Sequence, residues 1–95
     1  MSGLEVSASA RAHILDGDRR GGGHRYDASR GKTEFPRSWS DADIINAIEE
    51  VANDPASIRE RGRRGRTILI GMRDSVSVTV VINPATGFIV TGFPT

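Results

Sequence analysis

TILIGMRDSVSVTVVINPATGFIVTGF, residues 67–93, decides the fold. Its centre alternates with period two, setting Val76, Val78, Val80 and Ile82 on one face of an extended segment and Ser75, Ser77 and Thr79 on the other. Turn chemistry brackets that centre, with Arg73-Asp74 before it and Asn83-Pro84-Ala85-Thr86-Gly87 after it. The pattern predicts a three-stranded antiparallel meander over 67–72, 75–83 and 88–93, one face dry and the other partly wet. Thr91 and Phe93 stand two residues apart and so project from the same side of the last strand, a hydroxyl beside an aromatic ring. Such a pair suits a base and a ribose, although an edge threonine and a core phenylalanine would look the same in sequence.

Toward the N-terminus, Ser40 is placed to cap a helix whose first turn carries Asp41 and Asp43 at the positive end of its dipole. Ile44, Ile45, Ile48, Val51 and Ala52 follow at helical spacing, and Asn53-Asp54-Pro55 ends the run. A short turn is expected over 55–60. Residues 59–66, RERGRRGR, hold five arginines and two glycines and predict a mobile basic loop. Earlier still, Leu4, Ala8, Ala12 and Leu15 predict a helix over 4–15, stopped by Asp16-Gly17-Asp18. The glycine-rich stretch from 16 to 37 shows no hydrophobic period and reads as a loop of functional length. Helices preceding an antiparallel sheet give an α+β fold, N-terminal helices packed on a small antiparallel β-sheet.

A chain of 95 residues supports one domain, 1–95, with a modest core. Apolar residues make up 37% and charged residues 26%, a composition of folded rather than disordered chains. There is no cysteine, so neither disulfides nor thiolate metal sites hold the fold. Neither a signal-peptide core nor a membrane span is present, so no membrane partner and no self-export are expected. The net charge of +1 conceals an asymmetry: residues 1–58 carry seven basic and ten acidic side chains, residues 59–95 six basic and two acidic. Twelve of the thirteen basic residues are arginine, whose planar fork matches phosphate.

The only histidines, His13 and His24, and the only lysine, Lys32, fall in the first third of the chain around GDRRGGGHR at 17–25. Two imidazoles and an ammonium are what metal-independent phosphodiester cleavage needs: one group takes a proton, one returns it, and a cation faces the phosphate. The glycines before His24 let backbone amides approach a ligand closely. Other chemistries lack their residues. Two histidines without cysteine or an HExxH spacing do not make a zinc site, so no metal is expected. The Gly-rich loop fits neither GxxxxGK[ST] nor a strand-to-helix GxGxxG, which excludes a nucleotide cofactor, and no serine sits in a nucleophile elbow. The nucleophile must then belong to the substrate, and RNA supplies one in its 2′-hydroxyl.

The order HILDGD (13–18), GGGH (21–24), GKTEFP (31–36), SWSDADII (38–45) and TGFP (91–94) resembles the bacterial EndoU-type ribonuclease toxin domain found at the C-terminal tips of polymorphic and contact-dependent growth inhibition toxins, over about residues 12–94. The resemblance implies the helix-plus-sheet fold shared with barnase, colicin-type and RelE-type ribonucleases, and endoribonuclease cleavage to a 2′,3′-cyclic phosphate without a cofactor. It implies His24 as the base, His13 as the acid and Lys32 as the cation, with Arg25 as the alternative cation. The family's Ser/Thr-x-Tyr element falls on Thr91-Gly92-Phe93, with phenylalanine in place of tyrosine, and Tyr26 is an alternative source of the ring. Arg63, Arg64 and Arg66 of the basic stretch are expected to track the RNA backbone. The implied partners are RNA, including transfer RNA, and a cognate immunity protein. The implied setting is the delivered end of a secreted toxin acting in the target-cell cytoplasm. Phe35, Trp39 and the isoleucines read as structural anchors. A non-catalytic RNA-binding or protein-interaction module of the same fold is the alternative.

Overall fold

A computed structural model describes residues 4–17, 23–24 and 34–95. Two helices, α1 (Ala8–Leu15) and α2 (Asp41–Asn53), precede a sheet of four strands: β1 (Ile58–Arg61), β2 (Thr67–Arg73), β3 (Val76–Asn83) and β4 (Phe88–Pro94). The strands pair antiparallel in the order β1-β2-β3-β4, an α+β architecture.

Helix α2 begins where the sequence predicts. The amide of Asp43 donates to Ser40 Oγ at 3.1 Å and the amide of Ser40 to Asp43 Oδ2 at 2.9 Å, closing a capping box. Ile44, Ile48 and Val51 are fully buried against β2 and β3, each contributing about 1.5–3 kcal/mol by leaving water. Two glycines let the helix come this close. A Cβ on Gly92 would stand 2.7 Å from Ile48 Cδ1, and one on Gly71 would stand 3.1 Å from Val51 Cγ2. Phe35, 1% exposed, enters the same core and stacks on Trp39 with ring centroids 5.5 Å apart. Both aromatics act as the structural anchors expected of them.

Helix α1 is shorter than the predicted 4–15. Ser7 caps it by accepting from the Ala10 amide, and the preceding residues run extended along α2. There Leu4 exchanges hydrogen bonds with the Asn53 side chain, and the Val6 amide donates to Glu49 at 2.8 Å. Leu4 still packs on the core although it precedes the helix, which is why it fitted the helical spacing of Ala8, Ala12 and Leu15.

The second difference lies at 55–66. The expected turn is present at 55–56, but Ile58–Arg61 then forms a fourth strand rather than a continuing turn and basic loop, β1 pairing with β2 through Ile58↔Ile70 to Arg61↔Thr67. The second half of this stretch is a 3-10 turn, Arg63–Gly65, with Arg64 at φ 56. All four residues of β1 are exposed, so the strand carries no apolar alternation to betray it. The β2–β3 hairpin turns on Asp74 and Ser75, both at positive φ, rather than on Arg73-Asp74, because a two-residue turn that matches strand twist needs left-handed backbone at both positions.

The register separates two faces. Val78, Val80, Ile82 and Leu69 face α2, while Ser77, Thr79, Val81, Thr91 and Phe93 share the other side. That second face is drier than expected at Thr79, which is 5% exposed.

Candidate functional site

The C-terminal end of α1 holds the first component. His13 occupies its last turn, where a basic side chain complements the helix dipole, and Gly17 at φ 84 turns the chain away. The carbonyls freed at this helix end bind the His24 segment: Gly23 N donates to His13 O at 3.0 Å and His24 N to Ile14 O at 2.7 Å. On its other side, His24 O accepts from the Phe35 amide at 2.8 Å. His24 is thereby fixed through its backbone to α1 and to a core aromatic, beside the backbone of His13. It is 7% exposed.

The second component is β4. The His24 ring lies against Phe93, centroids 5.6 Å apart and planes tilted by 35°. Thr91 lies one step along the same face of β4, paired with Val81 as Phe93 is paired with Thr79. Thr91 Oγ1 is buried and has no hydrogen-bond partner among the described residues. A buried hydroxyl left unsatisfied costs about 1–3 kcal/mol, and such groups are few in folded proteins. Next to Phe93, Ser77 Oγ and Thr79 Oγ1 meet Thr95 Oγ1 at 2.8 and 3.2 Å, so that corner of the face is satisfied internally.

Helix α1, the His24 segment and β4 thus bring the His24 ring, Phe93 and Thr91 together, with the backbone of His13 bonded to the adjoining Gly23. Lys32, Arg25 and Tyr26 lie outside the described residues. Arg63 and Arg64 sit exposed in the 3-10 turn at the opposite sheet edge. Arg66 follows that turn in extended conformation, immediately before β2. Arg66, Arg59 and Arg61 line a cavity of about 540 Å³. By register Arg59 and Arg61 pair with Leu69 and Thr67, which puts them on the α2 side and away from Phe93. A second cavity, of about 630 Å³, is lined by Asp43, Glu50, Asp74 and Arg73 among others and includes none of the predicted site residues. Among the described residues no three His, Asp or Glu side chains converge as metal ligands would, and no helix is long and apolar enough to cross a membrane.

The spacing of Thr91 and Phe93 was enough to place them together. Nothing in the sequence announced that the His24 segment would pair with the end of α1, because those bonds run between backbone groups.

Comparison with protein families matches residues 27–95 to the model of the bacterial EndoU nuclease. Lys32, Thr91, Phe93, Arg63, Arg64 and Arg66 fall within the matched stretch, and His13, His24 and Arg25 precede it. No curated protein and no solved structure matches the chain.

Proposed function

From the premise that this chain belongs to the bacterial EndoU nuclease family, we propose that it is an endoribonuclease cutting RNA by transesterification through the 2′-hydroxyl. The observation that carries the reading is the His24 ring against Phe93, beside the buried, unpartnered hydroxyl of Thr91. An imidazole, an aromatic surface and an unsatisfied hydroxyl serve three needs of one nucleotide: proton transfer, stacking and a polar contact to base or sugar.

In the proposed reaction the neutral imidazole of His24 takes the proton from the 2′-hydroxyl as its oxygen attacks phosphorus. The bond from phosphorus to the 5′-oxygen breaks, and the protonated imidazole of His13 gives that oxygen its proton. The products are a 2′,3′-cyclic phosphate and a 5′-hydroxyl. Lys32, or Arg25 in its place, offsets the charge of the phosphorane. These two assignments rest on the sequence resemblance.

Phe93 keeps the stacking surface of a tyrosine and lacks its phenolic hydrogen bond, so discrimination among bases falls to Thr91. The resemblance extends the reading to a toxin domain delivered as the C-terminal part of a secreted protein, acting in the cytoplasm of a target cell on RNA such as transfer RNA, and neutralised by a cognate immunity protein. Co-purification with, and protection by, the product of an adjacent gene tests that extension; absence of both contradicts it.

His24→Ala tests the chemistry. Turnover should fall about 10²- to 10⁴-fold, the usual contribution of one acid–base group, with RNA affinity nearly unchanged. A protein that binds RNA and never cuts it contradicts the proposal and leaves a binding module.

A further inference from the structure

Phe88 is 70% exposed, an unusual position for a large aromatic in a chain with only five aromatic residues besides its two histidines. Its direction is set by an irregularity in β4. The β3–β4 register runs Thr79↔Phe93, Val80↔Gly92 and Val81↔Thr91, then shifts, so that Ile82 pairs with Ile89 and Asn83 with Phe88. Val90 is the extra residue of a β-bulge. Without it, Val90 would take the core position and Phe88 would share the buried side with Gly92 and Pro94. With it, Ile89 fills the core at 3% exposed and Phe88 turns onto the face that carries Thr91 and Phe93. A bulge that rotates an aromatic out of the core and onto the face of a candidate site is a way of aiming a side chain.

The same cross-strand row contains a cation. Continuing the β2–β3 register by one residue beyond Thr67↔Ile82 sets the extended Arg66 opposite Asn83, whose other neighbour is Phe88. Arg66 and Phe88 therefore stand two strand spacings apart, about 10 Å between backbones, within reach of a single nucleotide by their side chains. Asn83 between them is occupied, its Oδ1 accepting from the Ala85 amide. Along the sheet, Phe88 is four β3 residues from the Phe93 row, about 13 Å. Continuously stacked bases advance only about 3.4 Å, so bases on the two rings would have to be splayed apart.

Resting on the ribonuclease reading above, we infer that Phe88 and Arg66 form an accessory RNA subsite, the ring stacking a base that flanks the cleaved nucleotide and the guanidinium holding its phosphate. The occupant is single-stranded RNA because the feature combines an open π-face with a cation in the same cross-strand row. The subsite raises affinity for longer RNA and takes no part in bond breaking.

The test is a cycle between Phe88 and each base of a short 2′-O-methyl oligonucleotide, which binds and is not cut. Fluorescence anisotropy is read for the wild type and Phe88→Ala, against the intact strand and strands abasic at single positions. One position should weaken wild-type binding about 5- to 150-fold, the loss of one base–aromatic stack, and have little further effect in Phe88→Ala. Phe88→Tyr should bind as the wild type does. Arg66→Ala should lower the slope of log affinity against log salt by about 0.7. Equal affinity of Phe88→Ala and wild type, or a loss independent of abasic position, overturns the inference. So does impaired binding of a protein inhibitor with RNA binding unchanged, which would assign the ring to a protein interface. Cleavage of RNA without coupling at Phe88 defeats this inference alone; a protein that neither binds nor cuts RNA defeats the ribonuclease reading with it.

Discussion

The imidazole of His24 packs on the ring of Phe93 at 5.6 Å, and this contact joins the end of α1 to the face of β4. Each partner is held from behind. His24 is bonded through its backbone to Ile14 and Phe35, and β4 is pressed onto α2 at Gly92. The site's geometry therefore depends on packing on both sides of the sheet.

Thr91→Val separates stability from function. The substitution keeps the side chain's shape and removes a buried hydroxyl with no partner, so thermal or denaturant unfolding should show equal or greater stability, by up to about 1–3 kcal/mol. RNA cleavage by the same protein should fall. Loss of stability together with unchanged activity would show that the hydroxyl serves the fold.

Gly92→Ala acts from the opposite side of the same strand. Its Cβ would stand 2.7 Å from Ile48 Cδ1 and 2.8 Å from Cγ1, inside a fully buried contact, so the helix or the strand must give way. Overpacking of this kind costs about 1–3 kcal/mol, and Tm should fall by roughly 4–8 °C for each kcal/mol. Activity should fall further than stability alone explains, since Thr91 and Phe93 flank the displaced residue. A Tm within error of the wild type would contradict the close packing of α2 on β4.

How much of this was legible in the sequence differs from element to element. Val78, Val80 and Ile82 announced β3 because a half-buried strand writes its burial into alternate residues, and Ser40 with Asp43 announced the start of α2. Strand β1 was not legible, since an exposed edge strand such as Ile58-Arg-Glu-Arg61 has no buried face to record. The bulge at Val90 was hidden because Ile89 and Val90 are both apolar and either would suit the core. Of the candidate site, Thr91 and Phe93 followed from spacing on one strand. The nearness of His24 to them depends on long-range backbone bonds and a ring contact, which no local pattern encodes.

Acid stability should show the mark of Asp54. Its carboxylate accepts from the Ala56 amide and, secondarily, from Arg73, and both hold its pKa below the ordinary 3.8. A carboxyl with a depressed folded-state pKa contributes stability in full above its unfolded value and loses it as pH falls through the folded one. Asp54→Asn should be slightly less stable than the wild type near neutrality, the small loss expected of an exposed carboxylate, and the two stability curves should converge as pH falls below about 4. Parallel curves throughout the acid range would contradict this assignment.

Metal-independent transesterification by the histidine pair leaves its signature in the chemical nature of the new 3′ end. Purified protein is incubated with single-stranded RNA and with transfer RNA, with and without chelator, and the product ends are identified. The expected ends are a 2′,3′-cyclic phosphate and a 5′-hydroxyl, formed equally in chelator and lost in both His24→Ala and His13→Ala. A 3′-hydroxyl product, dependence on a divalent metal, or full activity in His24→Ala would contradict this chemistry.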